Sequence, residues 1–206
     1  MGLGKLENKI LIMYYSQAGQ DEWVIQKTNH KKSGYFVDLG AYDGINYSNT
    51  YYLEKEMGWN GICIEADPSN FSSLVKNRKC ICKNLAVSDT KGIFLFNSSD
   101  MGGKLDNRGK TEVECDILEN ILSDNLAPNI IDYLSIDVEG KELDVLRNFL
   151  FSKWKFRFIT VEHNLYCDGD YNKKEIMKIL LENGYTLDRE NVSHEGYPFE
   201  DWYVLK

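Results

Sequence analysis

The chain has 206 residues, 43% of them hydrophobic, enough for one buried core, so a single domain (1–206) with a single site is expected. Its 24 basic residues are outnumbered by 32 acidic ones, and a formal charge of -8 repels a phosphate backbone unless basic residues segregate, which excludes a nucleic-acid partner. Five cysteines, an odd number without paired spacing, exclude a disulfide scaffold and read as reduced, buried or half-buried thiols in a cytoplasmic compartment.

In chain order, Met1-Gly2-Leu3-Gly4 reads as the start of a domain cut from a longer polypeptide, and the apolar stretch Ile10 to Tyr15 is too short to span a bilayer. Residues 1–34 are expected as an N-terminal arm and helix, and 35–206 as the core. Tyr35 to Leu39 predicts a short buried strand ending in a glycine turn, followed by a helix over Asn49 to Met57 that stops at Gly58. Asn60 to Glu65 predicts a second strand, and Pro68 with Asn70 opens a helix running to about Arg78. Cys80 to Val87 predicts a third strand, with Ile93 to Phe96 beside it or extending the sheet edge. Asn97 to Lys110, with three glycines and two serines, predicts a loop on the acceptor side of a site. Tyr133 to Ile136 and Phe156 to Val161 predict further buried strands, with helices over Lys141 to Phe149 and Lys173 to Asn183. Tyr185 to Asp188 and Asp201 to Leu205 close the chain as strands with no helix between them. They must therefore run antiparallel, and the expected fold is α/β: a mostly parallel sheet with one reversed strand near its edge and helices on both faces.

The strongest motif is Val37-Asp38-Leu39-Gly40-Ala41-Tyr42-Asp43-Gly44, a strand entering a turn that lets backbone approach a ligand closely. A dinucleotide cradle would need glycines where Tyr42 and Ile45 stand, and Asp38 would repel a pyrophosphate while suiting a ligand with a sulfonium and an ammonium group. Glu65 closes the second strand where a carboxylate accepts hydrogen bonds from ribose hydroxyls, and Ala86-Val87-Ser88 offers backbone groups and a small apolar surface to an adenine. Asp137 and Glu139 follow the fourth strand, and Glu162 with His163 follow the fifth, where all four can face a ligand bound at that edge. His163 is the expected general base, with Asp137 or Glu162 orienting the acceptor or the imidazole. Asp137 and Glu139 are equally suited to capping the next helix. Carboxylates at two strand ends beside an imidazole also suit magnesium, but no metal site is assigned. Gly109-Lys110-Thr111 imitates the end of a phosphate loop, yet Lys104 stands where that loop needs glycine and Thr111 opens an alternating, strand-like run.

The segments Ser16-Gln17-x-Gly19-Gln20-Asp21, Tyr35 to Gly44, Ser48-Asn49-Thr50, Ile62 to Pro68, Ala86-Val87-Ser88-Asp89, Ser135 to Gly140 and Val161-Glu162-His163-Asn164 together resemble the FkbM-type methyltransferases over residues 14 to 205. The resemblance implies a Rossmann-like, seven-stranded class I methyltransferase sheet, S-adenosylmethionine as donor with S-adenosylhomocysteine as product, and O-methylation of a sugar, polyketide or glycan hydroxyl, a rhamnose-like one first. Carried over position by position, it places Asp38, Gly40, Ala41 and Gly44 around the donor's amino acid part and Glu65 on its ribose. Gln17, Asp43, Asn49 and Asp137 lie in the same matched segments and are expected at the donor site. The contrasting expectation is a non-catalytic nucleoside- or glycan-binding module that kept the fold.

Overall fold

A computed structural model describes residues 14–98 and 102–206. The opening Met1-Gly2-Leu3-Gly4 and most of the Ile10 to Tyr15 stretch lie outside the described residues. Among the described residues, no helix is long and apolar enough to cross a membrane.

The elements run α1 (Gln20–Lys27), β1 (Tyr35–Leu39), α2 (Tyr51–Lys55), β2 (Asn60–Glu65), α3 (Pro68–Asn77), β3 (Ile81–Asn84), β4 (Ala86–Val87), β5 (Gly92–Asn97), β6 (Lys104–Leu105), β7 (Thr111–Asp116), α4 (Leu118–Asp124), β8 (Ile130–Ile136), α5 (Glu142–Arg147), β9 (Lys155–Glu162), α6 (Leu165–Asp168), α7 (Tyr171–Glu182), β10 (Tyr185–His194) and β11 (Tyr197–Leu205). Seven strands form one sheet in the order β10-β11-β9-β8-β1-β2-β3. All pairings are parallel except those of β11, which is antiparallel to both β9 and β10, so the single reversed strand stands one place in from the edge. The chain winds outward from β1 through β2 to β3 and then returns to lay β8 on the other side of β1. That reversal is the switch point at which open α/β sheets form a crevice.

The alternation of side chains along each strand divides the interior into two cores. Val37, Leu39, Ile62, Ile64, Leu134, Ile136, Ile159 and Val161 pack with α4, α5 and α7 residues such as Leu122, Leu146, Ile176 and Leu180. Phe36, Cys63, Tyr133, Phe158 and Trp202 face the other way, onto Trp23 and Val24 of α1, Leu53 of α2 and Leu74 of α3. Helices therefore cover both faces. By the same count Asp38, Ser135, Glu162 and Glu200 project on the α1–α3 face, and His163 and Asp201 on the other.

The structure corrects the middle of the chain. Cys80 to Val87 is not one strand: the ladder with β2 runs out at the Glu65–Asn84 pair, where Asn84 turns its side-chain amide onto the Glu65 and Ala66 carbonyls at 2.9 and 3.1 Å. Ala86 and Val87 then pair with β7. Nor does Ile93 to Phe96 extend the main sheet. It lies in β5 of a second, four-stranded sheet ordered β4-β7-β5-β6. The expected loop Asn97 to Lys110 contains β6, paired to the end of β5. Thr111 opens a strand rather than a helix, and the backbone of Phe96 lies where a Cβ at Gly109 would stand, so Gly109-Lys110-Thr111 forms no phosphate loop. Of the cysteines, Cys63 and Cys115 are buried and Cys80 and Cys82 half-buried as expected, but Cys167 is exposed.

Candidate active site

A cavity of about 410 Å³ opens at the carboxyl ends of β1, β2, β8 and β9, at the switch point. Its first wall is the turn after β1. The N–H groups of Gly40 and Ala41 both donate to the Ile64 carbonyl, at 3.0 and 2.9 Å, and the Asp137 N–H donates to the Leu39 carbonyl at 3.0 Å, which ties the ends of β1, β2 and β8 together. Gly40 has φ +84°, and a Cβ there would stand 1.8 Å from the Asp137 carbonyl oxygen, so the strand ends meet this closely only because the residue is glycine.

Asp38 is buried on this wall and accepts the Thr50 hydroxyl at 2.5 Å; Thr50 in turn accepts from the Arg78 guanidinium at 2.9 Å. Burial outweighs the attraction of Arg78 and pushes the Asp38 carboxyl above its ordinary value. Glu65 accepts the Tyr42 N–H on one oxygen at 2.8 Å and the Asp67 N–H on the other at 2.7 Å. Burial still raises it to about 7. Asn49 donates from its side-chain amide to the Ser135 hydroxyl at 2.9 Å, and its Oδ1 is buried without a hydrogen-bond partner. Ala86 and Val87 line the cavity with Leu85, Ile64 and Phe96 as an apolar side.

The opposite wall carries Asp137, Glu139, Glu162 and Asn164. Burial, and next the charge of Asp137, drive the Glu162 carboxyl well up, and burial raises Asp137 as well. Glu162 Oε2 and Asn164 Oδ1 are buried and accept no hydrogen bond. Behind them Glu142 accepts the N–H groups of Val138 and Gly140, both at 3.0 Å, which braces the loop after β8. Asp137 and Glu139 therefore do not cap α5: its N-cap is Lys141 and receives no side-chain cap.

Of the expected site residues, Gln17, Asp38, Gly40, Ala41, Asn49, Glu65, Ala86, Val87, Asp137, Glu139 and Glu162 line this one cavity. Four do not. His163 is one residue beyond Glu162 on an extended chain and so faces the other side of the sheet, where its Nε2 lies 3.4 Å from Asp201 Oδ1 and its Nδ1 accepts the Leu165 N–H at 3.2 Å. The structure thus places the expected base away from the cavity lining. Gly44, with φ +84°, is fixed by packing, since a Cβ there would press on Leu74 and Arg78. Asp43 spends its carboxylate on the N–H groups of Ile45 and Asn46, at 2.9 and 2.8 Å. Ser88 is buried against the Asp116 carbonyl in the second sheet.

Sequence reasoning missed Glu200 and Gln20, both buried and both on the cavity wall. Glu200 sits on β11 directly opposite Glu162, and burial raises it to about 8. An acid in an otherwise aromatic strand, Phe199-Glu200-Asp201-Trp202, was the available signal. Among the described residues the wall thus holds Asp38, Glu65, Asp67, Asp137, Glu139, Glu162 and Glu200, against Lys141 as its cation, and Lys141 pairs with Asp144 at 2.8 Å.

A seven-stranded sheet with one reversed strand, and a crevice at the carboxyl edge beside its first strand, define the Rossmann-like class I methyltransferase fold. Solved structures with this fold include the O-methyltransferase from Bacillus cereus in complex with SAH (11% identity, 95% of this chain and 84% of that one, TM-score 0.59). They also include magnesium protoporphyrin IX methyltransferase from Synechocystis PCC 6803 with bound SAM (12% identity, 90% and 76%, TM-score 0.52). The methyltransferase FkbM from Methylobacillus flagellatus KT is similar over 84% of this chain at 15% identity and TM-score 0.57, and the present chain spans only 43% of that protein. No curated protein matches the chain. The methyltransferase FkbM domain matches residues 38–187, most of the chain, and the protein belongs to that methyltransferase family.

Proposed function

We propose that the chain transfers a methyl group from S-adenosylmethionine to a hydroxyl of a sugar or glycan. The observation that carries the reading is the carboxyl lining of the cavity: acids converge from both sides at the sheet's switch point, and a ligand bearing a sulfonium and an ammonium group favours their ionised form as no phosphate would. Bound there, S-adenosylmethionine supplies a methyl carbon already activated for in-line displacement.

The residues present fit such a ligand. Glu65 uses one lone pair of each oxygen on a backbone N–H, which fixes the carboxylate and leaves further lone pairs for two ribose hydroxyls. Leu85, Ala86, Val87 and Phe96 provide an apolar surface for a flat base, and Gln17, Asp38 and Asn49 lie around the turn where the amino acid part belongs. Across the cavity, Asp137 and Glu162 orient the acceptor hydroxyl, and their like charges in a buried place favour uptake of one proton between them. That assigns the base role to this pair, with Glu139 beside it. Tyr42, Tyr47 and Tyr166 line the cavity as aromatic side chains of the kind that pack on a pyranose, while Gly103 and Leu105 of the 97–110 segment lie against Phe96 on the side of the flat base.

Calorimetry with S-adenosylhomocysteine tests the donor half, and a methyl-transfer screen over methylatable sugars, with and without chelator, tests the acceptor half. Micromolar product binding together with methylated sugar is the expected outcome. Product binding without transfer to any acceptor would leave a binding module, and absence of product binding would remove the reading altogether.

A further inference from the structure

We infer that the acceptor side of the cavity holds a hard divalent cation, magnesium or manganese in kind, between Asp137, Glu142 and Glu162, with the Asn164 amide oxygen as a further ligand. The inference deepens the proposed function and rests on it only for the ion's role, not for its binding.

One oxygen from each of Asp137, Glu142 and Glu162 lies within 4.8 Å of the other two. Oxygen ligands held roughly 2.1 to 2.4 Å from an ion stand about 3 to 4.8 Å from one another across an octahedron, and the three carboxylates are close enough to share one ion. The shell is anchored on different elements: Asp137 after β8, Glu142 on α5, and Glu162 at the end of β9. Glu142 keeps its place through the N–H groups of Val138 and Gly140 that Oε1 accepts.

Two observations separate the cluster from an ordinary group of acids. First, a buried acceptor has nothing to accept: Asn164 is 8% exposed and its Oδ1 has no hydrogen-bond partner, while Glu162, also 8% exposed, meets only the Asp137 carboxyl, with which it must share a proton. A buried acceptor without a donor is costly, and one cation would both satisfy Asn164 Oδ1 and replace the proton between the two carboxyls. Asn164, two positions beyond Glu162, lines the same cavity and is held in left-handed backbone conformation, φ 46°, immediately after the strand. Second, no counter-charge reaches the group. Among the described residues none of the three carboxylates enters an ion pair; Lys141 is occupied by Asp144, while Lys173 and His163 lie with Asp201 on the opposite face. The donor set, carboxylates and an amide oxygen without sulfur or imidazole, selects magnesium, manganese or calcium over zinc or copper. Bound here, the ion takes the place of the proton that the Asp137–Glu162 pair otherwise shares, and an open coordination position holds an acceptor oxygen.

The experiment is manganese binding by the full chain without donor, followed as loss of the six-line spectrum of free Mn²⁺ in electron paramagnetic resonance. Saturation at one ion per chain, competition by Mg²⁺, and at least about tenfold weaker binding by E162Q and N164A are expected. Undiminished free-ion signal at saturating protein, or native affinity in a folded E162Q, overturns the inference; if E162Q fails to fold by circular dichroism, N164A decides on the same criterion. Calorimetry with S-adenosylhomocysteine on the same metal-free samples keeps the two ideas apart. Product binding without manganese binding sinks the ion alone, and manganese binding without product binding sinks the donor assignment alone.

Discussion

The two walls of the cavity carry the same chemistry in opposite states of completion. On the β1–β2 wall the carboxylates are already engaged: Asp38 by Thr50, and Glu65 by the N–H groups of Tyr42 and Asp67. On the β8–β9 wall Glu162 Oε2 and Asn164 Oδ1 wait without donors, and Asp137 and Glu162 repel one another. A wall whose carboxylates are held by neighbouring hydroxyl and N–H donors presents one geometry for them before anything binds, even with Asn49 Oδ1 left open there. A wall left unsatisfied is unstable in isolation and gains most when a ligand completes it. The first arrangement suits recognition of an invariant ligand, and the second suits a place where protons or ions exchange during a reaction.

Breaking the contrast from the reactive side should have the largest effect. Glu162→Gln is expected to lower methyl-transfer turnover by about 10²- to 10⁴-fold, the range for loss of a positioned proton acceptor, while S-adenosylhomocysteine affinity changes by less than about threefold. Equal losses in both, by calorimetry and steady-state kinetics, would erase the distinction between the walls. Glu65→Ala should do the reverse and weaken product binding by about 10- to 100-fold through lost charged hydrogen bonds, and an unchanged dissociation constant would remove Glu65 from the donor site.

A smaller, global effect follows from burial. Glu65 and Glu142 titrate at about 7 and Glu200 at about 8, against about 4.3 for an unfolded glutamate, so the folded chain holds more protons than the unfolded one between those limits. Stability of the ligand-free protein should therefore fall as pH rises from about 5 to about 8, lowering the melting temperature by several degrees in scanning calorimetry. A flat or rising profile would mean that these carboxylates are ionised at little cost. The smallest effect on catalysis is expected for His163→Ala, with turnover within about threefold of native. Loss of its buried contacts should still lower the melting temperature by about 4 to 8 °C. A large turnover loss at native stability would return the base role to His163.

The strand ends were readable because they depend on local pattern. Short apolar runs closed by Asp38-Leu39-Gly40, Glu65 and Asp137 give both the sheet and the rim, and an acid at the last position of a buried strand has few structural reasons to be there. His163 lies off the cavity because neighbours are not partners on a strand: Glu162 and His163 are adjacent in sequence and for that reason face opposite ways. Glu200 was overlooked because it arrives from the reversed strand β11, more than thirty positions after Glu162 in the chain yet beside it in register. Glu142 lies inside a helix, where no periodicity distinguishes a loop brace from a solvated acid. The second sheet was illegible for a different reason, since the choice of Ala86 and Val87 to pair with β7 depends on β2 having run out of partners.

That second sheet gives the cavity a modular wall. Ala86, Val87, Phe96 and Leu105 reach the cavity from β4, β5 and β6, none of which hydrogen-bonds to a strand of the main sheet. The strands β4 to β7 can therefore be rewritten by drift or laboratory exchange, altering one side of the pocket while the seven-stranded frame and its carboxylate rim stay in register.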